Sequence, residues 1–162
     1  MNIDILPATE ADLAEACALY NEYAVSSVAT FDLAPRDMTT FAAGYLKTPN
    51  FGCVARDEAG ALAGFVSMGP FIHRAAAAQS VEIALYLRAD RCGGGLGPRL
   101  LEAGHAEARD RRIATIIAVI TTENVGSCAF FEREGYVYAG ALSRIARKGG
   151  QELGVSYYQY LL

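Results

Sequence analysis

The stretch Val81–Leu101, VEIALYLRADRCGGGLGPRLL, constrains the fold more tightly than any other part of this chain. Val81–Leu87 is rich in strand formers and alternates. Val81, Ile83, Leu85 and Leu87 face one way, and Glu82, Ala84 and Tyr86 the other. Arg88–Gly95 is a glycine-rich turn. From Leu96 onward, Leu96, Leu100, Leu101 and Ala108 recur near helical spacing, and Pro98 is tolerated in the first helical turn. A strand, a glycine loop and a helix N-terminus in succession form a recipe for holding phosphate. Glycines let the backbone approach closely, successive N–H groups point outward, and the helix dipole favours an anion. The bland alternative is a bare turn.

Neither of the two commonest phosphate motifs fits. A Walker loop needs a Gly-Lys-Ser/Thr ending, which is missing. Gly93 and Gly95 supply the first glycines of a dinucleotide fingerprint, but position 98 is proline. The 162-residue chain is long enough for one sizeable core, so a single domain over 1–162 is expected. Net charge is −4 and the pI about 5.2, with no basic stripe, which argues against a nucleic-acid partner. Cys17, Cys53, Cys92 and Cys128 are scattered without CxxC spacing, so neither a metal site nor a disulfide framework is expected. No signal peptide or membrane span is read, and the chain is expected to be cytoplasmic.

The rest of the chain punctuates clearly. Ile3–Leu6 reads as a strand closed by Pro7, and Thr9 as the cap of a helix over Glu10–Val25. Ser26–Pro35 is a loop in which apolar Val28 and Phe31 stand among turn residues. It is either a substrate lid or a plug at the edge of the core. Asp37–Leu46 reads as a second helix. Phe51–Arg56 and Ala61–Met68 are strands joined by the turn Asp57–Gly60. Gly69–Ser80 interrupts the sheet and carries His73 and Arg74. A guanidinium there can grip a carboxylate with two parallel hydrogen bonds, or simply be solvated.

The helix after the glycine loop runs to Arg111, with His105 placed on its outer face. Ala114–Ile120 reads as a strand buried on both faces. Asn124 can cap a helix over Val125–Glu134 that ends at Gly135. Tyr136–Ile145 and Val155–Leu161 are the last strands, with Arg147–Gly150 a turn. The order β-α-α-β-β-β-α-β-α-β-β predicts a mixed α/β (α+β) fold, with a sheet of about seven strands flanked by about four helices.

That order, and the spacing of the glycine loop, resemble the GNAT acyl-CoA N-acyltransferase superfamily. Its loop reads Gln/Arg-x-x-Gly-x-Gly/Ala, and Gly95 and Gly97 fall on its glycines, while Cys92 stands where the pattern has Gln or Arg. Four further segments resemble the phosphinothricin and methionine-sulfone acetyltransferase branch: ATFDLAP, GPFIHRAAAAQSVEIALYL, NVGSCAFFEREGY and KGGQELGVSYYQ. The resemblance implies a mostly antiparallel GNAT sheet and acetyl-CoA as co-substrate. The pantetheine arm would lie along Leu85, Tyr86 and Leu87. The pyrophosphate would sit on Gly93, Gly94, Gly95, Leu96, Gly97 and Pro98, though Pro98 has no N–H to give. Asn124 falls on a cofactor-contacting asparagine, Glu82 on the proposed general base, and Phe31 and Arg74 on positions near the acceptor. No metal is implied, and the aromatic tail VSYYQYLL implies a homodimer surface or simply a last core strand.

The implied reaction is acetyl transfer to the amine of a small molecule, an amino acid or analogue, by direct attack on the thioester. Glu82 would take the proton. The tyrosine that many members use as general acid is Phe131 here, which cannot donate. The acceptor half departs further: Ala77, Glu152 and Gly154 stand where the branch has tyrosine, tryptophan and aspartate. Two other classes remain in view. One is a catalytically weak GNAT-fold acyl-CoA-binding module; the other is a nucleotide-binding regulator, against which the absent Lys-Ser/Thr speaks.

Overall fold

The computed structural model describes residues 2–162; Met1 lies outside them. Strands β1 (Ile3–Pro7), β2 (Phe51–Asp57), β3 (Leu62–Pro70), β4 (Ser80–Leu87), β5 (Thr115–Thr121), β6 (Val137–Lys148) and β7 (Gln151–Leu161) form one sheet in the order β1-β2-β3-β4-β5-β7-β6. Every neighbouring pair is antiparallel except β4 and β5. A parallel pair needs a crossover, and helix α3 (Leu96–Asp110) supplies it. Helices α1 (Leu13–Ser26) and α2 (Met38–Gly44) cover one face of the sheet, and α3 with α4 (Val125–Arg133) the other.

The alternation in β4 explains why both faces are dressed. Val81 and Ile83 are buried with Leu100, Leu101, Ile116 and Phe131, while Leu85 and Leu87 pack against that cluster. On the opposite face Tyr86 packs against Tyr20, Phe41 and Phe65, which are buried between α1, α2 and the sheet. Truncating a fully buried residue such as Leu100 to Ala costs about 2–5 kcal/mol.

Several boundaries differ from expectation for local reasons. Thr9 and Asp12 form a reciprocal capping box around a short 3₁₀ turn, Glu10–Asp12, so α1 proper starts at Leu13. Asp37 accepts the Thr40 N–H at 2.9 Å and confines α2 to seven residues. The last hairpin is longer than expected because Gly149 and Gly150, both at positive φ, make the turn by themselves. In β5 Ile116, Ala118 and Ile120 are fully buried on one face, whereas Ile117 and Val119 are half-buried; α1 packs chiefly on β3 and β4.

His105 is a correction. It lies 3% exposed on the inward stripe of α3, one turn from Leu101 and Ala108, with its ring stacked on Tyr160 at 4.6 Å. Its polarity suggested the outer face, but helical spacing decides. Tyr136 supplies the partner that makes burial tolerable, its hydroxyl 2.8 Å from His105 Nε2.

Candidate active site

The site begins where the sheet comes apart. β4 pairs with β5 only over Ser80–Ile83, opposite Thr115–Ala118. Beyond Ile83 the two strands separate, and β5 continues in partnership with β7. Flanking hydrogen bonds fix which backbone groups face the resulting gap. The Gln79 carbonyl accepts from Ala114 and Thr115 on the β5 side, at 2.9 and 3.1 Å. The Ser80 carbonyl accepts from Phe71, and the Arg88 N–H donates to Ala63, both on the β3 side. Backbone polar groups alternate along a strand, so those of Leu85 and Leu87 point into the gap. The Tyr86 backbone points to β3, where Tyr86 pairs with Phe65. Of the three residues expected to run beside a pantetheine arm, Leu85 and Leu87 thus offer backbone groups, whereas Tyr86 offers a side chain on the α1/α2 face.

Tyr23 also meets this edge. Its hydroxyl donates to the Leu87 carbonyl at 2.5 Å, and burial pushes its pKa up to about 12, so it stays protonated. The sequence hinted at this only through the i,i+3 spacing of Tyr20 and Tyr23 on one helix.

The glycine loop lies at the end of the gap. Gly93 and Gly95 both adopt φ near +78°, with open space where a Cβ would stand. Gly95 is the left-handed residue that launches α3. Leu96, 5% exposed, anchors the first turn in the core. Gly97 packs under the Phe130 ring, where a Cβ would come within 3.1 Å. The first-turn amides of Leu96, Gly97 and Arg99 therefore emerge beside the loop, and Pro98 contributes none. Outward amides at a helix N-terminus suit an anion. Cys92, which precedes the loop on the solvent side, is exposed. The Arg91 guanidinium pairs with Asp57 at 3.0 Å and braces the loop against the β2–β3 turn.

Asn124 caps α4 on the far side of the gap, its Oδ1 accepting from the Ser127 N–H at 3.3 Å, which leaves the Nδ2 amide to donate elsewhere. Phe131 is buried, ring against ring with Tyr136 at 4.9 Å.

Glu82 lies on the α1/α2 face, on an interior strand bonded on both sides. Its side chain reaches solvent, yet it sits deeply enough that burial raises its carboxyl pKa above the ordinary value. Tyr45 feels its charge, and Tyr45 belongs to a ring cluster with Tyr20, Phe41, Phe65 and Tyr86. Over Tyr20 and Tyr45 lies the Arg36 guanidinium, 5.1 and 5.7 Å from the ring centres. Asp32 accepts from Arg36 Nε and from the Tyr20 hydroxyl, at 2.5 and 2.6 Å. This network holds the loop that carries Phe31, which is half-exposed between buried Thr30 and Asp32. Among the described residues, no cluster of ligating side chains suited to a metal ion is present.

Arg74 does not join this group. It is exposed, donates to the neighbouring His73 carbonyl at 2.8 Å, and lines a cleft of about 470 Å³ with Pro70, Ile72, His73, Val81 and Ile113. Val81 faces away from Glu82 on the same strand, so the cleft and the carboxyl lie on opposite sides of the sheet. The other departures in the acceptor half also have structural partners. Glu152 pairs with Arg144 and Arg147 on the outer hairpin. Gly154 N–H donates to both oxygens of Glu123 at 3.2 and 3.1 Å, and a Cβ on Gly154 would come within 2.9 Å of the Leu142 carbonyl oxygen.

A sheet split beside a glycine loop and a helix N-terminus narrows the fold, and comparison with known proteins decides it. The family model for the acetyltransferase (GNAT) domain matches residues 2–137. The chain belongs to the GNAT acetyltransferase family. The GNAT order expected from the sequence is the order found, and solved family members superpose closely. A phosphinothricin acetyltransferase from Sinorhizobium meliloti, solved with acetyl-CoA, has a TM-score of 0.91 at 27% identity, covering 100% of this chain and 89% of its own. A ribosomal-protein-alanine N-acetyltransferase from Brucella melitensis gives 0.88 at 30% identity, covering 98% and 99%. Among curated sequences, the L-methionine sulfoximine/L-methionine sulfone acetyltransferase of Pseudomonas aeruginosa is 29% identical, over 98% of this chain and 94% of that protein. The GNAT resemblance read in the glycine loop and in the four segments thus extends along the chain.

Proposed function

We propose that this protein is an acetyl-CoA-dependent N-acetyltransferase whose acceptor is the amine of a free amino acid or analogue, of the methionine sulfone or phosphinothricin type. The observation that carries the reading is the shared origin of two halves on β4. Leu85 and Leu87 offer backbone groups to a cofactor arm in the gap, and Glu82, with its raised pKa, offers a base on the adjoining face. Gly93, Gly94, Gly95, Leu96 and Gly97 hold the diphosphate, and the Asn124 amide reaches the cofactor from α4.

The acceptor arrives as an ammonium, and Glu82 takes its proton directly or through one water. The free amine attacks the thioester carbonyl. A backbone N–H of β4 at the gap steadies the developing oxyanion. The nitrogen gives up its second proton to water, the C–S bond breaks, the amide forms, and the thiolate leaves. It takes its proton from water, because Phe131 has none to give. The acceptor carboxylate is assigned to Arg74 on resemblance alone, since that guanidinium faces a different cleft. Arg74→Ala decides the point. A raised acceptor KM with kcat kept supports the assignment, and an unchanged KM removes it.

The whole chain is proposed to act as one catalytic domain in the cytoplasm. It is also proposed to be a homodimer. β6 is a twelve-residue edge strand with Val137, Tyr138, Leu142 and Ile145 at least half exposed, an edge that a lone sheet leaves prone to pairing. The deciding experiment is thiol release from acetyl-CoA against a panel of amino acids, methionine sulfone, phosphinothricin, an alanine-initiated peptide and polyamines. Release with the amino-acid group, lost in Glu82→Gln, is expected. Thermal protection by acetyl-CoA without release from any amine would instead identify a binding module.

A further inference from the structure

α1 ends without a cation of its own: no basic residue occupies its last turn, where carbonyls lack helical partners. The cation comes from the other end of the chain. Lys148, the last residue of β6, places Nζ 2.7 Å from the Ala24 carbonyl and 3.0 Å from the Thr30 carbonyl. The first contact caps the C-terminus of α1, and the second grips the loop that follows it. Phe31 is thereby fixed from both sides. The Thr30 carbonyl before it is held by Lys148, and the Asp32 carboxylate after it by Tyr20 and Arg36. The lysine also contributes to holding the Asp32 carboxyl below its ordinary pKa, after the hydrogen bonds from Arg36 and Tyr20.

We propose that Lys148 is a positioning residue for the acceptor site: it clamps the end of α1 to the 27–35 loop, so that Phe31 is presented to the acceptor in one fixed position. This rests on the reading of that loop as the acceptor side of an N-acetyltransferase. An ammonium suits the task because one compact charge can serve two carbonyls that point at it from different elements. The clamp touches neither the gap nor the glycine loop, so its loss should spare the cofactor and tax the acceptor.

The test compares Lys148→Met and Lys148→Arg with the wild-type protein. In Lys148→Met the acceptor KM should rise about tenfold, the loss expected for a charge-assisted bond to a carbonyl, while the acetyl-CoA dissociation constant stays within twofold. Lys148→Arg should recover part of the rise, because a cation returns. Hydrogen exchange, which needs no turnover, should show faster exchange at residues 25–33 in Lys148→Met and unchanged exchange in α3. Equal losses in acceptor KM and acetyl-CoA affinity would mean general destabilisation and overturn the proposal, as would unaltered exchange at 25–33. If the wild-type protein releases no thiol with any amine, the acceptor reading itself fails. Faster exchange would then show a clamp with no acceptor to position, and the proposal falls with the reading. Should Lys148→Met not fold, Lys148→Gln, which keeps one donor group, carries the same comparison.

Discussion

Replacing Tyr136 by Phe would remove a single oxygen from the interior and leave the His105 imidazole without its 2.8 Å partner. Both residues are 3% exposed, so water cannot take the vacated place without rearrangement. The exposed Glu102 carboxylate lies 3.8 Å from Nδ1, which favours the proton on that nitrogen and makes Nε2 the acceptor of the Tyr136 hydroxyl. A stranded buried acceptor costs about 1–3 kcal/mol. At about 2 kcal/mol the melting temperature should fall by about 4–8 °C for a chain of this size. Removing both partners, as in His105→Leu with Tyr136→Phe, should recover much of that loss, because no polar atom is then left unpaired. The pH dependence has a definite sign. Burial lowers the His105 pKa below 6.5, so the folded protein holds the ring neutral while the unfolded chain takes up a proton. That stability is complete above about pH 6.5 and is lost as pH falls below it. Because the tyrosine hydroxyl favours the neutral ring, the gap between wild type and Tyr136→Phe should narrow between pH 8 and pH 5. Melting curves by circular dichroism over that range suffice. An unchanged melting temperature for Tyr136→Phe at pH 8 would refute the argument.

Three shorter expectations follow from the site. Glu82→Gln should lower kcat by about 10²–10⁴ without weakening acetyl-CoA, read by stopped assay and calorimetry, and the wild-type rate should rise with pH through a pKa above 4.5 because burial raises that carboxyl. Gly95→Ala forces a Cβ onto φ +78°, a strain of about 1–2 kcal/mol, and should weaken acetyl-CoA about tenfold by calorimetry while leaving the fold intact. If the proposed homodimer pairs through the β6 edge, Leu142→Arg, which places a charge there, should shift sedimentation from dimer to monomer; a monomeric wild-type protein would remove that proposal.

What was legible in the sequence is what repeats at short range. The alternation of Val81–Leu87 fixed a two-faced strand, and Gly93–Gly97 with the following leucines fixed the turn into a helix, because each rests on neighbours within a few residues. Asn124 was readable as a cap for the same reason, whereas Asp37, read as the first residue of a helix, turned out to cap it. What escaped depends on residues far apart in the chain. His105 looked solvent-facing because its polarity gave no sign of Tyr136 and Tyr160 waiting beneath it. The exposure of Cys92 depends on the path of the loop. The ring cluster joins Tyr20, Tyr45 and Tyr86 from three elements, and Lys148 reaches back across most of the chain to Ala24. The separation of β4 from β5 was not read from the sequence, since nothing at Ala84 announces it.

Gly154 carries a consequence for how this chain can change. The branch it resembles has aspartate there, but here the Leu142 carbonyl stands 2.9 Å from where any side chain would begin, and Glu123 already brings a carboxylate to the same amide. Gly154→Asp would press two negative charges together against the Leu142 carbonyl. An acidic side chain at position 154 therefore needs accompanying changes at Glu123 and in the β6–β7 spacing before the hairpin can hold it.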